Sequence, residues 1–232
     1  MTSLVLASAF FLGLHLLIAG TRLRDGIVGK IGEQRYMGIF SLASVGGLVW
    51  MSWSFTFAKN DMSLWTAPSW LPHAGGLIIL IAFLFVVIGI MTPSPTLVQG
   101  GGMLKKGDET VNGIVRITRH PFLWGAAIWA TFHLSANGDL PSVVFFGTFL
   151  VLALLGTRSI DAKRKRAHGA DWEAFTAKTS NIPFGAIVTG RNKLNLKEIG
   201  LVRVVAAVVA FGAVLYGHGW LFGIVPFVLP GS

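Results

Sequence analysis

The chain has 232 residues, no cysteine, a net charge of +9, and 53% hydrophobic against 12% charged residues. The charges are bunched between apolar runs rather than spread along helix faces, a membrane composition that excludes an ordinary soluble globular domain. Without thiols there are no disulfides or thiolate metal sites, so any metal must take His or carboxylate. The basic balance does not point to nucleic acid, because bilayer topology accounts for the same charges.

A helix that crosses a hydrocarbon layer of ~30 Å needs roughly 20 mainly apolar residues. Six stretches approach this, at 2–19, 38–58, 74–91, 121–135, 140–157 and 201–229. The first lacks a basic segment before it and carries its positive charges afterwards, so it reads as an uncleaved helix rather than a signal peptide. The fourth is short, but Gly125, Ala126, Ala127 and Ala130 suit close packing between membrane helices. The last is long enough to span with tilt or to break at Gly217, His218 and Gly219. The expected fold is therefore all-α, a polytopic membrane helix bundle of about six transmembrane helices, forming a single domain over 1–232 with no internal repeat.

Lys and Arg are concentrated in alternate loops. Arg22, Arg24, Lys30 and Arg35 fall in the first, Lys105, Lys106, Arg116 and Arg119 in the third, and nine more between Arg158 and Lys197 in the fifth. The second loop holds Lys59 alone. With Arg203 at the mouth of the last helix, 18 of the 19 positive charges lie on one face. The positive-inside rule makes that face cytoplasmic and turns both termini away from it.

Ionisable groups within a bilayer cost several kcal/mol unless paired or ligated, so His15 and His133 are the candidates for function. Each is either a structural histidine bonded to a neighbouring helix, or one of two imidazoles that hold a haem iron between facing helices. Ala130 and Ala126, at i−3 and i−7 from His133, would leave room for a flat macrocycle. At ~1.5 Å per residue, His15 lies about 7 Å and His133 about 18 Å inside the cytoplasmic helix ends, while His120 lies near the surface. Depth alone therefore also permits His15 to pair with His120. His73, His168 and His218 read as surface or structural residues.

The densest cluster is GIVRITRHPFLWG at 113–125. Pro121 suits a first helical turn and His120 before it is driven towards an extended conformation, which holds Arg116, Arg119 and His120 at the membrane surface. These three either clamp an anionic group, such as a haem propionate, phosphate or carboxylate, or anchor the protein to lipid headgroups. RSIDAKRKRAHGADWEAF, after the fifth stretch, reads as a basic helical segment, and its Asp161, Asp171 and Glu173 read as local salt-bridge partners. No nucleophile elbow, phosphate loop or zinc-ligand spacing is present, which argues against hydrolytic chemistry.

The ordered set LHLLIAGTRLR, GIVRITRHP, the W-x-x-x-H before NGD, and TSNIPFGAI followed by GR resembles the NnrU family of bacterial inner-membrane proteins, with its relative 15-cis-zeta-carotene isomerase. The resemblance implies a haem b protein of the bacterial inner membrane with both termini periplasmic, linked to denitrification through nitrite and nitric oxide. By position the isomerase's axial ligands fall on His15 and His133, which makes His120 a neighbour of the site rather than a ligand. Where the isomerase carries a cysteine three residues before its second histidine, this chain has Ala130, so a thiol ligand is excluded. The alternative activity implied is cis-trans isomerisation of an apolar polyene. A more distant likeness, through RHPFLWG, GADWEAF and IPF, is to isoprenylcysteine carboxyl methyltransferases and membrane sterol reductases, with Asp161 the only acidic residue near the expected position.

Overall fold

A computed structural model describes residues 1–58 and 62–226. Lys59 and the end of the sixth apolar stretch lie outside the described residues. The described residues are mostly helical, and among them the only β pairing is an isolated bridge between Ser63 and Asp139. Among the described residues eight α-helices run in chain order as α1 (Thr2–Leu12), α2 (Arg22–Ile31), α3 (Glu33–Thr56), α4 (Leu71–Met91), α5 (Pro121–Asn137), α6 (Leu140–Lys178), α7 (Gly185–Val188) and α8 (Leu201–Phe222). A π-helical turn, Gly13–Ile18, extends α1, and 3-10 segments cover Gly100–Thr110, Gly113–Arg116 and Leu196–Ile199.

Among the described residues four helices, α3, α4, α6 and α8, are long and apolar enough to cross a membrane, and a fifth span arises if α1 and α2 are taken as one bent pair. At 17 residues α5 is only about 25 Å long, shorter than the ~30 Å hydrocarbon layer. The chain is thus an all-helical membrane protein, and its lipid-exposed character is visible in α8, where only Ala207 is buried. That helix continues through Gly217, His218 and Gly219 to Phe222 without a break.

Two further departures from the sequence reading have local causes. The first apolar stretch does not run straight into its loop: the segments Thr2–Ile18 and Arg22–Ile31 meet at 81°. At the corner a Cβ on Gly20 would sit 2.5 Å from the Leu16 carbonyl and 2.6 Å from Ser159 Oγ, so only glycine fits, while Thr21 caps α2 by accepting the Leu23 N–H. The fifth stretch and the basic helical segment after it are one continuous helix through 163–166, which turns at Gly169, whose φ of +48° favours glycine.

The chain divides into two compact units. Unit 1 comprises Met1–Ala67 and His133–Ala167, and unit 2 comprises Pro68–Phe132 with the chain from His168 onward. In unit 1, Leu4, Ala7 and Phe11 of α1 pack on Met51 of α3, against Phe55, Phe145 and Phe149. In unit 2, Ile88, Ile114, Ile117 and Ala207 form one apolar cluster and Leu104, Val111, Val115, Trp172 and Phe175 another.

Candidate functional site

His15 sits in the π-helical turn that follows α1. One-turn π segments inside α-helices recur at functional sites because the extra residue re-aims side chains. Its Nδ1 lies 2.8 Å from the Phe11 carbonyl. A carbonyl only accepts, so Nδ1 carries the proton and Nε2 keeps its lone pair. Nε2 makes no hydrogen bond among the described residues. The imidazole is walled by Phe11, with ring centroids 4.4 Å apart, and by Phe40 at 5.2 Å, edge-on. Anchored at one nitrogen by a backbone carbonyl and open at the other, it has the arrangement of a histidine prepared for a metal.

His133, near the end of α5, stacks on Phe146 at 4.9 Å and 24°. Both imidazoles belong to unit 1, whereas His120 belongs to unit 2. A row of rings connects them: Phe11 meets Phe149 at 5.9 Å, Phe149 meets Phe145 at 5.3 Å, and Phe145 meets Phe146 at 5.1 Å. Two imidazoles in an apolar surround are residue types that can hold a haem iron. Among the described residues no three His, Cys, Asp or Glu side chains cluster as potential metal ligands.

Ser8 Oγ on α1 and Ser44 Oγ and the Tyr36 hydroxyl on α3 are also buried without a hydrogen-bond partner. Each such group costs free energy unless something supplies the missing bond.

The GIVRITRHP block is built differently from a free anion clamp. Arg116 donates through Nε to Glu198 Oε2 at 2.6 Å, through one terminal nitrogen to Glu198 Oε1 at 2.9 Å, and through the other to Asn192 Oδ1 at 2.8 Å. The Arg116 guanidinium hydrogen bonds hold the Glu198 carboxyl down at about 2, with the Gly113 N–H bond adding to the effect against the opposing pull of burial. Burial also works against the Arg116 charge, but the Glu198 bond outweighs it and raises the guanidinium further. Nothing in the sequence marks Glu198 as this partner, because it is 82 residues away.

Around Arg119 and His120 the backbone is clamped. The Arg119 N–H donates to the Ser180 carbonyl at 2.9 Å, Thr96 Oγ1 donates to the Arg119 carbonyl at 2.6 Å, and the Thr118 hydroxyl accepts the His120 N–H at 3.2 Å. The Thr118 hydroxyl also donates to the Asn181 carbonyl, which Trp124 Nε1 reaches at 2.7 Å, and the Phe184 N–H donates to the Ile117 carbonyl at 2.8 Å. The RHP block and the TSNIPF block are thus one structural piece, with His120 buried within it. Arg191 of the following GR pair donates to the carbonyls of Thr176, Ala177 and Thr179, closing the end of α6. The structure places Arg116, Arg119 and His120 in unit 2, and His15 and His133 in unit 1 at the two ends of a row of four phenylalanine rings.

The NGD sequence after His133 is also accounted for. Gly138 adopts φ +71°, its carbonyl accepts the Leu64 N–H at 2.7 Å, and a Cβ there would lie 2.1 Å from the Trp65 carbonyl. Asp139 caps α6 through Ser142, at 2.8 Å to both its N–H and its hydroxyl.

Comparison with known proteins agrees with the sequence motifs. The 15-cis-zeta-carotene isomerase of Zea mays chloroplasts is 35% identical over 82 residues, 35% of this chain and 22% of that protein. The Arabidopsis thaliana chloroplast enzyme is 34% identical over the same length and shares. The matched stretch therefore spans about a fifth of these curated relatives. No solved structure matches the chain significantly. The family profile described as NnrU protein matches residues 3–226, nearly the whole chain, so this protein belongs to the NnrU family of membrane proteins.

Proposed function

We propose that this chain is a haem-b-binding protein of the bacterial inner membrane, with both termini periplasmic, that serves nitrite and nitric oxide metabolism in denitrification. The observation that carries the reading is His15, fixed by the Phe11 carbonyl with its Nε2 lone pair unoccupied in an apolar, aromatic surround. His15 and His133 would hold the iron, and bound haem would supply one-electron redox chemistry. The chain's own contribution is to fix the His15 tautomer, to make Nε2 more basic through the Nδ1–H bond, and to exclude water with Phe11, Phe40 and Phe146. Purified protein supplied with haem should show a Soret band that is lost in His15→Ala and lost or shifted in His133→Ala.

A second reading is a haem-dependent cis-trans isomerase acting on an apolar polyene. It is favoured by the names of the curated relatives and by the row of phenylalanines between His15 and His133, which offers ring faces to a conjugated chain. Conversion of a cis-polyene by the haem-loaded protein in detergent would support it, and no conversion by loaded protein would overturn it.

A further inference from the structure

A haem is apolar except along the edge that bears its two propionate carboxyl groups, and inside a bilayer that edge needs hydrogen bonds and a short route to water. The guanidinium that the sequence offers for such a carboxyl, Arg116, is taken up by Glu198 and Asn192 in unit 2. Unit 1 holds an unused donor of its own beside His15.

Phe40 of α3 meets the His15 imidazole edge-on at 5.2 Å. One turn earlier on the same face of α3, Tyr36 stacks on Phe40 at 5.8 Å and 21°, so its ring stands two ring contacts from the imidazole. The residue is only 5% exposed, and its hydroxyl is buried with no hydrogen-bond partner. Arg24, with Cζ 5.2 Å from the centre of the Tyr36 ring, is engaged by Glu33 and Asp25 and makes no bond to that hydroxyl. A buried hydroxyl in this state is costly until something supplies the missing bond.

One turn beyond Phe40, Ser44 Oγ is likewise buried and unpartnered, so two such groups flank the ring that walls His15. Depth separates them. Because α3 starts at Glu33, Tyr36 lies in its first turn, next to the basic α2, and Ser44 lies about 12 Å further into the span. The His15 turn ends at Ile18, on the same side as Tyr36. A carboxylate becomes costlier with depth, which favours Tyr36 over Ser44 as its partner. A tyrosine hydroxyl donates to a carboxylate and accepts from a protonated carboxyl, so the bond forms in either state.

We infer that the Tyr36 hydroxyl is the hydrogen-bonding partner of a haem propionate, and so fixes which way round the macrocycle sits against His15, with its carboxyl edge towards the α2 end of unit 1. The inference rests on the haem reading and adds to it a residue that lies outside every motif of the sequence.

The test titrates the full chain in neutral detergent with haem b and with haem b dimethyl ester, whose polar edge carries no charge and no proton to donate, reading affinity from the Soret band. Tyr36→Phe removes the hydroxyl and keeps a ring to stack on Phe40. It should weaken haem binding about tenfold, the loss expected for one hydrogen bond to a charged group, and leave both the affinity for the ester and the position of the Soret band unchanged. Ser44→Ala, on the same face of α3, should change neither affinity. Undiminished haem binding by Tyr36→Phe, equal loss of haem and ester, or the same loss in Ser44→Ala would overturn the inference and leave the haem reading standing. Absence of a Soret band in the wild-type protein would overturn both.

Discussion

Arg116 and Glu198 meet in a two-pronged ion pair, 2.6 Å from Nε to Oε2 and 2.9 Å from a terminal nitrogen to Oε1, that ties the 3-10 turn before α5 to the segment before α8. The same carboxylate accepts the Gly113 N–H at 2.9 Å and Asn195 Nδ2 at 2.9 Å, so one side chain organises four donors.

The pair makes stability pH-dependent in a defined direction. The Glu198 carboxyl falls from its ordinary 4.5 to about 2 in the folded protein, chiefly because Arg116 bonds to its charged form. A depressed carboxylate stabilises the fold above its unfolded value, and that contribution is lost as pH falls from about 4.5 towards 2. Glu198→Gln should lower stability at neutral pH by about 1 kcal/mol, allowing for solvent screening of a partly exposed pair. It should also flatten the decline in thermal midpoint between those pH values, measured in detergent by circular dichroism.

Gly125 of α5 sits against α4 so closely that a Cβ would meet the Ala82 carbonyl at 2.7 Å and Val86 Cγ2 at 2.7 Å. Gly125→Ala should therefore destabilise by about 1–3 kcal/mol, the usual cost of overpacking. Gly147 in α6 has nothing within 4 Å of the corresponding position, so Gly147→Ala should be neutral or slightly stabilising. Thermal midpoints of the two variants, compared in one detergent, check the contrast.

The apolar stretches in the sequence located the helices well, because hydropathy over about 20 residues reports burial in lipid directly. The corner at Gly20 was not legible, since it depends on contact with Ser159 far along the chain. The helical character of the basic segment after the fifth stretch was legible, but its continuity with that stretch as one helix, α6, was not. In the site, His15 and His133 stood out by the cost of placing ionisable groups in a bilayer, whereas the π-turn and the Phe11 bond that orient His15 are backbone details. The engagement of Arg116 by Glu198 is a tertiary pairing that local pattern cannot reveal.

Gly138 joins strain to contact, with φ +71° and the Trp65 carbonyl 2.1 Å from any added Cβ. Gly138→Ala should break the Leu64 and Trp65 contacts with this turn and speed proteolysis of the segment beginning at Met62, while leaving the helical circular dichroism signal largely intact. An unchanged cleavage rate would show that the turn tolerates the side chain.

The central claim concerns His15 and His133, and the absorption spectrum of the purified, haem-supplemented protein tests it most directly. A Soret band in the wild type that is lost in His15→Ala, and lost or shifted in His133→Ala, with the helical signal retained in both, is the predicted result. No Soret band in the wild type, or an undiminished one in both variants, would contradict it.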